Sequence, residues 1–394
     1  MSESRRTLRV AMIGCGFMGK AHSNAWRQVS HFFPLKADVE LHTVVGCKRD
    51  GKNGVREAVA KFGFNRGTLD WREVVKSPEI DIIDICAPNH VHAEIAIEAA
   101  KNKKHILCEK PLAMNSKQCE EMIKAVKKAG VVHMVNQNYR RIPAIAHAKK
   151  LIEEGALGKI FHYRARYAQD WIVDPEFPLV WRLKKEVSGS GAHGDICAHI
   201  IDMARYLVGE FAEVCGMMET FIKKRPLEDK GAKKEGLGGT ATTKKMGTVT
   251  VDDTSMFIGR FKNGAVANLE ATRFALGRKN NIVIEINGSK GSLYFDFEDM
   301  NRLKFFDNTN EADRQGFRDI LVTQGGGVHP YAGLWWPPGH IIGYEHTFIH
   351  AIGDFVNAVV DGKSVQPTFE EGLMNEKVLE AVDRSARTRQ WVKV

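Results

Sequence analysis

Residues 7–13 (TLRVAMI) form an apolar run of strand length, and Gly14-Cys15-Gly16-Phe17-Met18-Gly19 follows without a break. A helical pattern then continues over 20–29. A GxGxxG that leaves a strand and opens a helix restricts the fold strongly, because each glycine has its own job. Gly14 makes the tight turn, Gly16 lets a pyrophosphate approach the backbone, and Gly19 lets helix and strand pack closely. The phosphates then lie at the helix N-terminus, where unpaired amides and the helix dipole favour an anion. The stretch predicts a dinucleotide site.

Strands and helices alternate from there. Strand patterns at 39–46 (VELHTVVG), 80–87 (IDIIDICA), 105–108 (HILC) and 131–136 (VVHMVN) are separated by helical ones at 53–62, 71–75, 91–101 and 116–129. This predicts a doubly wound parallel sheet over residues 1–137, with its crevice outside the carboxyl ends of the strands. Pro88, Asn89, Lys110 and Asn136 fall at such ends, on the side of the Gly-rich turn. At the end of the second strand, an acid would hold the adenosine ribose of NAD. The sequence there reads Cys47-Lys48-Arg49-Asp50. Lys48 and Arg49 suit the 2′-phosphate of NADP, Asp50 reaches the ribose after a one-residue shift, and solvent-facing side chains fit equally. NAD and NADP both stay open.

After Tyr139-Arg140-Arg141 the pattern changes. A helix over 144–154 precedes strand patterns at 160–167, 214–221, 253–260, 265–272, 282–287 and 292–297, with Asn263-Gly264 and Asn287-Gly288 as turns. The second domain, 138–394, is therefore expected to be α+β with a large open antiparallel sheet. One face would cover an active site and the other would meet a second subunit, giving a homodimer or homotetramer. Helices over 345–361 and 369–385 close the chain. Between the first two strands, a Gly/Ser approach at 188–191 leads into a helix carrying Asp195, His199 and Asp202 at i, i+4 and i+7. That spacing places all three on one face, opposite an apolar stripe of Ile196, Ile200, Met203 and Leu207. A carboxylate and an imidazole one turn apart can share a proton or a substrate hydroxyl. The same spacing also suits a plain solvated face.

Composition narrows the partners. With 43% hydrophobic and 27% charged residues, the 394-residue chain reads as a soluble two-domain protein. Residues 221–250 hold eight Lys and Arg against three acids, over half of the net charge of +9. Rich in Gly, Thr and Lys, the stretch reads as a mobile, solvated surface loop. No aromatic residue interleaves with its lysines, so nucleic-acid binding is not expected. No apolar run approaches membrane-spanning length, and residues 1–9 lack the apolar core of a signal peptide. Seven cysteines without a CxxC pair fit reduced thiols in the cytoplasm. His346-x3-His350 has zinc-pair spacing, but Thr347 stands where HExxH requires Glu, and no metal is expected.

Together GCGFMG, Glu109-Lys110-Pro111 and Gly194-Asp195-x3-His199-x2-Asp202 resemble the Gfo/Idh/MocA family of sugar and inositol dehydrogenases, over nearly the whole chain. Pro88-Asn89-His90-Val91-His92-Ala93-Glu94, Asn138-Tyr139-Arg140-Arg141, Gln169-Asp170-Trp171, and His329-Pro330-Tyr331 with Gly333-Leu334-Trp335 are most similar to its levoglucosan dehydrogenase and glycoside 3-dehydrogenase branch. The resemblance implies an N-terminal Rossmann domain followed by the open-sheet α+β domain. It implies a nicotinamide cofactor, NAD or NADP, held by Gly14, Gly16, Phe17, Met18, Gly19, Lys48, Arg49, Pro88, Asn89, His92, Glu109, Lys110 and Asn138. At Lys48-Arg49 the chain departs from the acid usual in NAD users. A cis bond before Pro111 would be the family's way of aiming Lys110.

The implied reaction is oxidation of a secondary hydroxyl, at C3, of a sugar or glycoside such as levoglucosan. Such a step removes a hydride from carbon and a proton from oxygen. His199 is the candidate general base, since histidine alone titrates near neutrality without perturbation. Lys110 would donate a hydrogen bond to the reacting oxygen, and Asp195 would hold a neighbouring hydroxyl. Tyr139, Arg166, Gln169, Trp171, Trp181 and Trp335 offer the aromatic faces and polar groups that a sugar needs, though each also suits a core or an interface. Inositol oxidation, reduction of a keto-sugar, or a catalytically silent nicotinamide-binding regulator are the alternatives. A silent protein would have lost the lysine, aspartate or histidine, and all three are present.

Overall fold

A computed structural model describes residues 5–46, 51–229, 234–235, 238–239 and 242–394. Contacts divide the chain into two compact units, Met1–Asn138 with Gly343–Glu376, and Tyr139–Ile342 with Lys377–Val394.

The first unit is built on six parallel strands: β1 (Thr7–Ile13), β2 (Asp38–Val45), β3 (Arg66–Thr68), β4 (Ile82–Ile85), β5 (His105–Glu109) and β6 (His133–Asn136). Their order, β3-β2-β1-β4-β5-β6, reverses at β1, as in a doubly wound sheet. The connecting helices are α1 (Phe17–Phe32), α2 (Gly51–Phe62), α3 (Trp71–Lys76), α4 (His92–Lys101) and α5 (Ser116–Ala129). Burial on both faces explains why β1 and β4 read as mostly apolar runs, interrupted at Thr7, Arg9 and Asp84. Ala11, Ile13, Ile83 and Ile85 pack on one side with Ala96 and Met122, while Met12 and Val44 face Ala58 and Phe62 on the other.

Residues 343–376, which the pattern of motifs left with the second domain, pack within this first unit. Phe369 is fully buried in the β-sheet core beside Leu112. The Val135 amide of edge strand β6 donates to Pro367 O at 2.9 Å, so the added segment also satisfies an otherwise open strand edge. Periodicity marks helices in a sequence but carries no information about which sheet they cover.

In the second unit, α6 (Pro143–Glu153), α7 (Lys185–Ser188) and α8 (Ala198–Leu207) accompany a nine-stranded sheet. Its strands are β7 (Ile160–Ala168), β8 (Phe211–Glu219) and, after a ribbon of β9 (Lys224–Glu228), β10 (Lys234–Glu235), β11 (Gly238–Gly239) and β12 (Thr242–Thr248), β13 (Thr254–Phe261) to β19. The remainder are β14 (Val266–Thr272), β15 (Asn281–Gly288), β16 (Gly291–Asp296), β17 (Arg302–Asp307), β18 (Arg318–Leu321) and β19 (Val392–Lys393), in the order β18-β17-β16-β15-β7-β14-β13-β8-β19. Every neighbour pair is antiparallel except β7 with β14, which run parallel. The sheet is therefore mixed rather than purely antiparallel. Helix α9 (Tyr344–Asp361) belongs to the first unit, and α10 (Phe369–Thr388) is shared out between the two.

The basic stretch 221–250 departs from its reading as a solvated loop. Its described residues form a two-stranded antiparallel ribbon, β9 with β12. Arg225, counted among the solvated charges, is fully buried. It donates to Asp174 O at 2.7 Å and also to the carbonyls of Phe177 and Ile172. A guanidinium has five donors, and this one meets a loop whose carbonyls have no strand partner. Charge counting missed it because composition cannot say which cation turns inward. Among the described residues no helix is long and apolar enough to cross a membrane.

If the Gly343–Glu376 segment completes the first unit, Phe369→Ala should lower unfolding stability by about 3–5 kcal/mol in urea denaturation, as for other fully buried phenylalanines. A loss under about 1 kcal/mol would show that the segment contributes little to this core.

Candidate active site

The first unit supplies a dinucleotide cradle. Gly14 has φ +113° and donates to Val45 O at 2.8 Å. A Cβ at that position would lie 2.5 Å from Cys86 O, and one at Gly19 would lie 2.2 Å from Gly14 O. Both turns are thus closed to any side chain. Gly16 differs, since a Cβ there would meet nothing within 4 Å. The surface above it is open, and a side chain would occupy the space that a phosphate needs. As N-cap of α1, Gly16 has no side chain to bond the first-turn amides, and no acid stands in that turn. The amides are left to an anionic ligand. Phe17 is exposed, while Met18 packs against the cluster of Met12, Val44 and Cys86. Lys48 and Arg49 lie outside the described residues.

At the strand ends, Pro88 is exposed and Asn89 opens a short 3₁₀ turn, Asn89–Val91. His92 is fully buried, with ring nitrogens 2.8 Å from Ala87 O and 3.0 Å from Pro111 O. Burial holds its pKa below the ordinary histidine value. It braces the two loops that follow β4 and β5. Asn138 is buried and donates to Thr347 Oγ1 at 2.8 Å. Lys110 is half-buried, and the Lys110–Pro111 bond is cis, as the resemblance implied. Its amide donates to Glu109 Oε2 at 3.2 Å, while Glu109 Oε1 accepts from Asn136 Nδ2 at 2.6 Å and from His22 Nε2 at 2.8 Å. Burial pushes the Glu109 pKa up, but these donors, His22 foremost, bring it below the usual carboxylate value.

The second unit places the Asp195–His199 pair on an unusual turn. Residues His193–Cys197 form a π-helical turn that leads into α8. The wider turn rotates Asp195 away from the i, i+4 face expected of an α-helix, a distortion common at functional sites. Asp252 anchors its start, accepting from the Gly191 and His193 amides at 2.7 Å each. Asp195 is paired with Arg273 Nη2 at 2.5 Å. His199 is buried, with the Tyr139 ring centroid 4.5 Å away and that of Tyr167 5.9 Å away. Asp202, expected on the same face as the pair, instead forms a buried bidentate bond with Arg140 at 2.7 and 2.6 Å. That residue fastens α8 to the segment before α6.

A hydrogen-bonded chain runs past His199. Tyr139 Oη lies 3.2 Å from Tyr167 Oη, which donates to Asn280 Oδ1 at 2.7 Å. Gln169 Nε2 donates to the same oxygen at 2.8 Å, and Trp171 Nε1 donates to Gln169 Oε1 at 2.9 Å. The Trp171 ring in turn sits 5.1 Å from the Arg273 guanidinium that holds Asp195. Of the residues expected to meet a sugar, Tyr139, Gln169, Trp171, Asp195 and His199 are brought together by this chain. Trp181 sits in a neighbouring 3₁₀ turn, Trp181–Leu183, beneath Arg182 at 4.5 Å. Trp335 is half-buried after the turn Ala332–Leu334.

Arg166 is not brought to the group. Strand alternation sends it to the face of β7 opposite Tyr163 and Tyr167, where it donates to Asn281 Oδ1 at 2.9 Å. The sequence reading also missed Tyr167, Asn280 and Arg273 in the second unit and His22 and Asp84 in the first. Tyr167 was available from alternation once Gln169 had been chosen. The others are polar residues on separate elements, and only the fold makes them neighbours.

The three glycines can be told apart by substitution. Gly16→Ala should keep unfolding stability within about 1 kcal/mol, because its Cβ meets open space, yet weaken dinucleotide binding about tenfold or more by calorimetry. Gly14→Ala should instead destabilise the protein by about 1–3 kcal/mol through strain at positive φ. Equal stability losses at the two positions would contradict the cradle.

Residues 8–137 match the family description "Oxidoreductase family, NAD-binding Rossmann fold", and residues 145–294 match "GFO/IDH/MocA C-terminal domain". The chain is 46% identical to a levoglucosan dehydrogenase of Pseudarthrobacter phenanthrenivorans over 392 residues, covering 99% of this chain and 98% of that one. A solved levoglucosan dehydrogenase in complex with NADH and levoglucosan superposes with a TM-score of 0.91 at 45% identity, over 99% of both chains. The myo-inositol 2-dehydrogenase of Thermotoga maritima is 27% identical over 98% of both chains. A Gly-rich cradle, Lys110 at a strand end, the Asp195–His199 turn and these matches lead to one assignment: the chain belongs to the Gfo/Idh/MocA family of oxidoreductases.

Proposed function

We propose that this oxidoreductase transfers a hydride between nicotinamide and a secondary hydroxyl of a sugar or glycoside such as levoglucosan, at C3. The observation that carries the reading is the chain from Tyr139 through Tyr167, Asn280, Gln169 and Trp171 to Arg273 and Asp195, with His199 packed against it. It combines aromatic faces with donors and acceptors already fixed in direction, which suits a ring bearing several hydroxyls. The cofactor is NAD(H), supported by the relative solved with NADH and by the fit of the open surface over Gly16 to a phosphate.

When bound, the nicotinamide supplies the hydride acceptor. His199 takes the proton of the reacting hydroxyl. Lys110 donates a hydrogen bond to that oxygen and stabilises the negative charge that grows as the proton leaves. Asp195, held by Arg273, accepts from an adjacent hydroxyl and fixes the sugar's rotation about the reacting carbon. Tyr139 and Gln169 add contacts to the rim of hydroxyls, and Trp171 offers a face to the ring.

A second subunit is part of the proposal. On the face of the large sheet opposite Tyr163 and Tyr167, Met256 stands directly across from Met217, and Ile258 continues the stripe on β13. All three are exposed. Contiguous apolar surface of this kind marks an interaction site, and a second copy covers it in a homodimer or homotetramer. Ile258→Glu should then shift the mass measured by light scattering towards the monomer, and a wild-type monomer would refute the assembly.

The activity is tested by following NADH absorbance with levoglucosan, methyl glucosides and myo-inositol. Levoglucosan should be oxidised, and His199→Asn and Lys110→Ala should each lower kcat by about 10²–10⁴-fold. Preference for myo-inositol, or undiminished turnover in both variants, would overturn the reading.

A further inference from the structure

His22 stands within the first unit, fully buried on α1, and the mechanism above makes no use of it. Its Nδ1 lies 2.9 Å from Asp84 Oδ2 on β4, and its Nε2 lies 2.8 Å from Glu109 Oε1 at the end of β5. Other groups have already claimed the carboxylate oxygens as acceptors. Trp26 Nε1 donates to Asp84 Oδ2 at 2.7 Å, the Cys86 thiol points to Oδ1 at 3.6 Å, Asn136 Nδ2 donates to Glu109 Oε1 at 2.6 Å, and the Lys110 amide donates to Oε2 at 3.2 Å. Carboxylates facing both ring nitrogens favour the doubly protonated imidazole, and Asn136 Nδ2 lies 3.0 Å from the same Nε2.

His22, Asp84 and Cys86 also bring three ligand atoms within 4.8 Å of one another, as a metal site would. The hydrogen bonds account for those atoms without a metal. Burial, then Asp84, pushes the Cys86 thiol far above its ordinary range, which keeps it a donor rather than a thiolate ligand.

We propose that His22 is a positioning residue for Lys110: by bridging Asp84 and Glu109 it fixes the Lys110 backbone relative to the helix that starts at the Gly-rich turn. The chain of contacts is short. His22 sits on the same helix whose first turn closes the cradle at Gly16 and Gly19. Glu109, which it grips, curls back onto the Lys110 amide, and His92 holds the next carbonyl, that of Pro111. The groups facing the ring are Asp84 from β4 and Cys86 just beyond it, Glu109 from β5, Asn136 from β6 and the Phe348 ring from α9, 5.4 Å away. Burial opposes the charge on His22, but Asp84 outweighs it and the pKa is raised well above that of a free histidine. The clamp is therefore intact below that raised value and is lost as pH rises through it.

This inference rests on the dehydrogenase reading for its kinetic arm only. In full-length protein labelled with ¹⁵N on histidine, both ring nitrogens of His22 should stay protonated above the ordinary histidine range. A neutral ring at pH 7 would overturn the proposal, and this arm needs no variant to fold. In His22→Gln, kcat should fall about 10–100-fold, as expected of a misplaced catalytic group, with NADH affinity changed less than about threefold. Wild-type kcat should fall as pH rises through the raised His22 pKa, and that fall should be absent in the variant. Unchanged kcat, or a loss confined to cofactor affinity, counts against it. Should the wild type oxidise no sugar at all, the functional reading fails on its own. The rate of reductive methylation of Lys110, read by mass spectrometry, then decides: a several-fold change relative to other lysines in His22→Gln supports the clamp, and an identical rate refutes it.

Discussion

Taking a charged side chain out of water is costly unless partners replace the solvent, and this chain supplies such partners beside several of the groups assigned to chemistry. His22 lies between Asp84 and Glu109, with Trp26 and Asn136 supplying further donors. In the second unit Arg140 takes both oxygens of Asp202, Arg273 takes Asp195, and Arg225 meets the carbonyls of a loop that includes Asp174. Such pairs add little net stability, because desolvation offsets most of the attraction, but losing one partner strands the other. Their consequence is direction. Each holds a side chain or a stretch of backbone in one orientation.

That matters for a reaction that moves both a hydride and a proton. Small displacements of a reacting group cost much of the rate, so it is best carried by rigid elements. Lys110 directly follows β5, in a turn fixed by Glu109 on one side and by His92 on the other. His199 sits in the first turn of α8, after a π-helical turn anchored by Asp252. The residues proposed to perform the chemistry are few. Those that hold them are more numerous and are drawn from strands far apart in sequence.

Much of the fold was legible from local pattern. The Gly-rich turn was recognisable because a backbone conformation and two close approaches each demand glycine, and a Cβ at Gly14 or Gly19 would clash with backbone, while Gly16 faces open space. Strands buried on both faces showed as mostly apolar runs, and the half-buried strands of the second unit as alternation. What misled was any inference that needed a partner. Arg166 looked suited to a sugar until the two-residue alternation of β7 turned it away from Tyr167. Asp202 shared a helical spacing with His199 but found Arg140. Arg225 counted as one of eight solvated charges and is buried. The parallel pairing of β7 with β14 and the addition of residues 343–376 to the first unit are choices between distant segments of similar pattern.

By itself, then, the sequence determined the rough position of most strands and helices, that residues near the N-terminus form a dinucleotide-binding fold, and which residue types could carry hydride chemistry. These follow from forces acting within a few residues: steric limits on φ, helical and strand periodicity, and the capping needs of a helix N-terminus. The tertiary structure alone decided which polar residues meet. His22 with Asp84 and Glu109, and Tyr167 with Asn280 and Gln169, are joined across strands because a buried donor must take whatever acceptor the packing of the core brings within reach, and no local pattern encodes that choice.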